Sequence, residues 1–225
     1  MAIARNGLQG THTGKIGNTV YYMLNGKNVA REIGITLKEP TEAKLKSQLA
    51  TKICSQFLSQ LKVFINLGFS IEKQGTDKNA FNLAQQYNRN KIIKGDYPDL
   101  EIAYDQVILS KGNLKAAQDW SVTQIPGGLK YSWATHLQMP WPESTDQVMM
   151  LAYFPAENEA VYTLFGSSRL SGTAYLEIPE SLQGKYMETY MSFVAADRSQ
   201  LADSTYTGAF NGGLNNNQGE QLLLF

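Results

Sequence analysis

Lys94-Gly95-Asp96-Tyr97-Pro98-Asp99 separates two kinds of sequence. Upstream of it, apolar residues recur at three- and four-residue steps; from about residue 101 they alternate with polar ones, and β-branched and aromatic residues take over. The first period belongs to helices that bury one face, the second to strands that do the same. Segregated in this way, they predict an α+β protein. Gly, Asp and Pro within one hexapeptide interrupt either pattern, which makes this stretch the expected domain boundary.

Upstream, Asp77 to about Arg89 carries Phe81, Leu83, Ala84 and Tyr87 on one face and reads as a short helix. A longer one precedes it. Leu45, Leu49, Ile53, Phe57, Leu58, Leu61, Phe64 and Ile65 form its stripe, with Lys44, Lys52, Ser55, Ser59 and Lys62 opposite. Pro40-Thr41 opens this helix with Thr41 as N-cap, Glu42 suits its first turn, and Gly68 suits its end. Nearer the N-terminus, Asn18 to Met23 and Lys27 to Ile33 flank Asn25-Gly26, the dipeptide that best supplies two successive positive φ angles, so a hairpin is expected. Residues 1–17, with Gly7, Gly10 and Gly14, read as an extended arm.

Downstream, candidate strands are Gln106 to Ser110, Trp120 to Ile125, Gly128 to Ala134, Gln147 to Phe154, Ala160 to Phe165, Thr173 to Ile178, Tyr186 to Ala195 and Thr205 to Phe210. Pro- and Gly-bearing breaks separate them and no helical pattern intervenes. That spacing predicts an antiparallel β-sandwich of immunoglobulin or fibronectin III type, with Trp133 as a core anchor. The expected organisation is an arm at 1–17, a hairpin plus helical portion at 18–98, a sandwich at 99–210, and a spacer with an apolar tail at 211–225. The tail, Leu222-Leu223-Leu224-Phe225, either completes a strand of its own sandwich or docks on another copy.

Across 225 residues, 43% are hydrophobic and 18% charged, which is globular composition. The apolar run Val148 to Phe154 is far shorter than a bilayer span, so no membrane insertion is expected. No apolar signal region opens the chain, so synthesis in the cytoplasm without Sec-type export is expected. Cys54, the single cysteine, lies in the helical stripe and reads as a buried thiol. The net charge of zero conceals a division: residues 1–100 hold 14 Lys and Arg against 7 Asp and Glu, a net of +7, and residues 101–225 hold 6 against 13, a net of −7. Opposite fields on one chain favour head-to-tail association of copies.

No catalytic constellation emerges. His12 and His136 are the only histidines, and no serine sits in a G-x-S-x-G elbow. One cysteine and two distant histidines give no metal-ligand spacing. Gly10-Thr11-His12-Thr13-Gly14-Lys15-Ile16 resembles a phosphate loop only superficially: it has three residues between its glycines and ends in Ile16 where a hydroxyl is required. Glu157 with Glu159, and Asp197 with Asp203, fall in turns where solvated acids are common. Lys15, Lys27, Arg31 and Lys38 cluster with Tyr21 and Tyr22, the composition of a weak stacking surface, but no nucleic-acid motif accompanies them.

The order of Gly14-Lys15-Ile16-Gly17-Asn18, Asn25-Gly26-Lys27, Pro40-Thr41-Glu42-Ala43-Lys44-Leu45, Val107 to Leu114, Ser168-Arg169 and Ser204-Thr205-Tyr206-Thr207-Gly208 resembles the DUF6266 family of Bacteroidota proteins over nearly the whole chain. The family has no assigned activity, so the resemblance implies no catalytic residues. The N-terminal portion is also loosely similar to short proteins among phage structural genes.

The expected function is therefore a structural, self-assembling component of a particle or filament, such as a phage virion, with no enzyme activity and no cofactor. Its partners would be other copies and other particle proteins rather than nucleic acid, and it would move from the cytoplasm into the particle. Tyr21, Tyr22, Lys27, Arg31 and Leu222 to Phe225 are the candidate assembly residues. The alternative is a binding module whose sandwich loops, with Trp141 and Arg169 as candidate ligand residues, recognise a surface glycan or protein.

Overall fold

The computed structural model describes residues 2–5, 10–34, 38–136 and 138–212, and the chain falls into two units that divide between Thr41 and Glu42. The tail Leu222 to Phe225 lies outside the described residues. Helix and antiparallel sheet together make the protein α+β.

In the larger unit, α1 (Glu42–Gln60) and α2 (Lys62–Gly68) follow the apolar stripe, separated at the buried Leu61. The continuous helix expected from Thr41 to Gly68 is thus two helices. Next, α3 (Ala80–Asn88) is capped by Asn79, whose side chain accepts from the Asn82 amide at 2.8 Å. The expected boundary is itself a hairpin, β1 (Ile93–Asp96) and β2 (Asp99–Ile102), turning through Tyr97-Pro98.

Seven strands follow: β3 (Ser121–Ile125), β4 (Gly128–Ser132), β5 (Gln147–Phe154), β6 (Glu159–Thr163), β7 (Thr173–Glu177), β8 (Met187–Val194) and β9 (Thr205–Phe210). They form a three-stranded sheet ordered β7-β4-β3 and a four-stranded sheet ordered β6-β5-β8-β9. Val148, Met150, Ala152 and Phe154 of β5 join Met191 and Phe193 of β8 in a core shared with Leu129 and Tyr131 of β4 and with Trp133 just after it. The intervening residues, Met149, Leu151, Tyr153, Tyr190 and Val194, point the other way into a core with Cys54, Phe57, Leu58 and Phe64. Three layers result: helices, four-stranded sheet, three-stranded sheet. The apolar helix face needed a cover and the sheet's outer face supplied it, so helices and strands share one unit instead of dividing at residues 98 and 99.

The strand expected at Gln106 to Ser110 is absent although Val107, Leu109 and Ser110 are buried. Side chains satisfy its backbone in place of a neighbouring strand. Asn88 accepts from the Ile108 amide at 2.8 Å and donates to the Ile108 carbonyl at 2.7 Å, while the Leu109 amide donates to Ser204 Oγ at 2.8 Å. Alternation was read correctly, but it reports burial and not the identity of the hydrogen-bond partner.

The smaller unit is an antiparallel meander of four strands, here βA (Ala2–Arg5), βB (Thr11–Ile16), βC (Thr19–Leu24) and βD (Lys27–Glu32). Asn25 and Gly26 have φ of 47° and 78°, the two positive angles required of a type I′ turn. Residues 2–5 and 11–16, expected as an irregular arm, extend this hairpin by two strands, through a Gly17-Asn18 turn with Gly17 at φ 55°. Neither Ile3 nor any residue of 10–34 and 38–41 in this unit is buried.

Two measurements test this packing. Asn88→Leu strands the Ile108 amide and carbonyl in the interior and should lower the unfolding free energy by about 2–5 kcal/mol in urea titrations, since each unpaired buried group costs about 1–3 kcal/mol. A loss below about 0.5 kcal/mol would show that the carboxamide is not a substitute strand partner. Burial pushes the Cys54 thiol up to about 11, with the Arg89 guanidinium offsetting part of the rise. Iodoacetamide at pH 8 should therefore leave native protein unmodified and alkylate it in urea; equal rates in both would contradict the burial.

Candidate functional site

A cleft of the larger unit lies where its loops meet at one end of the sheets. Pro140-Trp141-Pro142 supplies one wall. Proline on both sides fixes two φ angles, and the segment closes on itself: Ser144 N donates to the Pro140 carbonyl at 3.0 Å, and the Thr145 amide and hydroxyl donate to the Pro142 carbonyl at 2.9 and 2.7 Å. The Trp141 indole is held out with 80% of its surface exposed. The opposite wall is the turn after β8, Ala195 to Gln200, closed by Ala195 N donating to the Gln200 carbonyl at 3.0 Å. Arg198 pins this turn, donating to the carbonyls of Ala195 and Ala196 and lying 3.9 Å above the Phe165 ring. Between the walls is a cleft of about 490 Å³, completed by Asn113, Leu114 and Lys115.

An ion pair supports the cleft from below. Arg169 and Asp146 are 4% and 2% exposed, and Arg169 Nε donates to Asp146 Oδ2 at 3.2 Å. The same guanidinium donates to the Lys115 carbonyl at 2.8 Å and sits 3.7 Å from the Phe193 ring centroid, and the Arg169 carbonyl accepts from Trp133 Nε1 at 2.7 Å. Arg169, through its side chain and its carbonyl, therefore ties the segment after Trp141, the 113–115 segment and both sheets. Burial raises the Asp146 carboxyl above its usual range and Arg169 offsets part of that rise.

The charges at the rim are mostly spent on one another. Lys115 pairs with Glu143 at 3.1 Å and Asp146 with Arg169. Asp197 is left facing solvent, with the Ser199 hydroxyl and amide donating to it and holding its carboxyl below the usual range.

Of the two candidate ligand residues, Trp141 stands at the rim and Arg169 lies under the floor, holding the site without an open face toward it. Asp197, Asn113 and Gln200, which sequence reasoning did not single out as ligand residues, join Trp141 from segments more than 25 residues away in either direction; the one signal was that Asp197 falls in a turn.

Of the candidate assembly residues, Tyr22, Lys27 and Arg31 share one face of the small sheet. Pairing of Lys15 with Val20, Val20 with Arg31, Tyr22 with Val29 and Leu24 with Lys27 places all seven on one face of the small sheet. Tyr21 is on the other face, with its ring centroid 5.7 Å from that of His12. Glu32, the one acidic residue of the four strands, is also on that other face. Lys15, Lys27 and Arg31 are exposed. Among the described residues no group of three or more His, Cys, Asp and Glu side chains is placed to hold a metal ion, and no helix is long and apolar enough to cross a membrane.

A model of a family of unknown function, DUF6266, matches residues 10–208. The chain belongs to the DUF6266 family. No curated protein and no solved structure matches it. The DUF6266 match takes in βB to βD, all three helices and β1 to β8, and ends within β9, so three strands of the small sheet and the Trp141 cleft lie within the family's span.

Arg169→Met leaves the Asp146 carboxylate buried without its partner and should cost about 3–5 kcal/mol in urea unfolding. The double variant Arg169→Met/Asp146→Leu should recover most of that loss, because it removes the orphaned charge as well. A single-variant loss below about 1 kcal/mol would show that the pair does not brace the loops.

Proposed function

We propose that the protein is a structural, self-assembling, non-catalytic component of a repetitive particle or filament, such as a phage virion, in which the cationic face of the small sheet docks on the acidic portion of a neighbouring copy. The carrying observation is that face. Lys15, Lys27 and Arg31 lie among Val20, Tyr22, Leu24 and Val29 with no acidic residue beside them in the strands, on a sheet of which no described side chain is buried. A small sheet without a core of its own is marginal in water and gains stability by covering an apolar face. A cationic rim selects an acidic cover, and residues 101–225 carry a net charge of −7.

The strand order supports a fibronectin III-like body. Lettered in chain order, β3, β4 and β7 are A, B and E, while β6, β5, β8 and β9 are C′, C, F and G. Crossing between sheets after B, after C′ and after E is a Greek-key course, with the strand after C joined to C as in variable-type domains. Such a rigid body suits a repeated building block. The apolar tail Leu222 to Phe225 is assigned to contacts with the next copy, and a stable interface of this kind should bury more than about 2,000 Å² in total. In this reading the chain is made in the cytoplasm and then enters the particle, and its family membership is compatible with a Bacteroidota or phage source.

Multi-angle light scattering of the full chain at low ionic strength should show species larger than a monomer that shrink as salt is raised, because screening reaches about 8 Å at 0.15 M. Lys15→Glu/Lys27→Glu/Arg31→Glu, checked for folding by circular dichroism, should remain monomeric. A wild-type protein that is a strict monomer at all concentrations and salts, or a triple variant that assembles unchanged, would overturn the reading.

A further inference from the structure

We propose that the cleft beside Trp141 is a binding site for a neutral saccharide. The proposal stands apart from assembly, since none of the cationic-face residues lines the cleft.

Trp141 is the first observation. Burying a large apolar side chain is worth about 1.5–3 kcal/mol, yet this indole is kept 80% exposed. Its exposure is built in: proline on both sides and the bonds to the Pro140 and Pro142 carbonyls hold the ring away from the core. A flat, rigid, apolar face at the mouth of a cleft suits a ligand with a flat apolar face of its own, such as the C–H face of a pyranose ring.

The polar lining provides the second. Asn113 and Gln200 bring carboxamides, Ser199 and Thr145 hydroxyls, and Asp197 a carboxylate. Carboxamides donate and accept, the two hydroxyls, whose protons go to Asp197 and to the Pro142 carbonyl, accept, and the carboxylate accepts from two directions. Sugar hydroxyls likewise donate and accept, so this set matches them without a charge on the ligand. The cleft volume of about 490 Å³ falls in the range of about 300–1,000 Å³ that holds small ligands.

Charge decides between ligand classes. Lys115 is paired with Glu143 and Arg169 with Asp146, so the lining offers an anionic ligand no unpaired cation. Asp197 with Trp141 would also receive a lysine or arginine side chain through charge and the ring face. That occupant leaves the carboxamides of Asn113 and Gln200 unused, whereas a saccharide engages them. The same pairing argues for binding over hydrolysis: Glu143 and Asp146 are already engaged, so Asp197 lacks a second unpaired carboxylate with which to form an acid–base couple.

The test uses the full chain and indole fluorescence, with cellotetraose, mannotetraose, xylotetraose and chitotetraose as probes and tetralysine as the competing class. At least one tetrasaccharide should give a saturable change, weakened about tenfold or more in Trp141→Ala and retained in Lys15→Glu/Lys27→Glu/Arg31→Glu. Asp197→Asn should weaken it less than Trp141→Ala does, by a few fold, because the amide still accepts. Titration calorimetry reads the Trp141→Ala variant independently of its lost fluorophore. No response to any of the four sugars overturns the proposal, as does undiminished binding by Trp141→Ala. Salt-sensitive binding of tetralysine alone overturns it in favour of a cationic peptide. Sugar binding by a wild-type protein that is a strict monomer at all concentrations and salts would sink the assembly reading and leave this one standing.

Discussion

β5 and β8 are buried on both faces, and a strand buried on both sides requires a layer on each. The three-stranded sheet covers one side and α1, α2 and α3 the other. Removing either layer would expose a row of Met, Leu, Tyr and Phe side chains along the middle of the four-stranded sheet. The helices are therefore a wall of the β body and not a separate domain leaning on it. Phe57 marks the junction: it packs edge-on against Tyr153 of β5 with ring centroids 5.0 Å apart and against Tyr104 at 5.8 Å. The same constraint fixes the end of the sheets, because loops leaving two tightly held strands have little room to drift, and both walls of the Trp141 cleft are such loops.

What the sequence disclosed follows from how local each signal is. Asn25-Gly26 specifies its own turn, so the hairpin was legible to within a residue; β5 and β9 begin and end where their apolar patterns do. Whatever depended on a distant partner was not. The run Val148 to Phe154 announces burial on both sides, but nothing in it says that the second cover is the helix stripe of residues 45–65. The segment after Gln106 alternates like a strand, and only the fold reveals that Asn88 occupies the partner's place. Arg169 is a charged residue beside two serines, which reads as a surface loop until Asp146, Phe193 and the Lys115 carbonyl are brought around it. Trp141 was visible because its prolines are its neighbours; Asn113, Asp197 and Gln200 were not, because the cleft is assembled across some 90 residues of chain.

The small sheet presents the opposite case. Its strands are paired as regularly as those of the body, yet no described side chain in it is buried. Backbone pairing alone leaves a sheet marginal, since the ladder bonds replace bonds to water at little net gain. Alternation sorts its side chains so that the cations share one face and the single acid takes the other, a separation that strengthens the field on the cationic side. Such a surface is poorly suited to self-contact through that face, because like charges would oppose each other. It is suited to contact with an acidic surface, which is where head-to-tail association of a chain with oppositely charged halves leads.

Repetition changes what a weak site can do. A single shallow cleft with one aromatic platform and a few polar partners has a modest binding energy, because sugar hydroxyls must give up water to enter it. In the proposed assembly, copies would present that cleft many times, and once one is occupied the next would act at an effective concentration set by the spacing, raising avidity by about 10²–10⁴ with no new contact. A weak cleft on a repeated, rigid body therefore suffices for firm attachment to a polymeric surface, and a tight one would be needed only on a monomer. The rigidity of the Trp141 and Asp197 loops matters for the same reason: little ordering entropy is lost at each site, so each additional engaged copy contributes nearly its full binding energy.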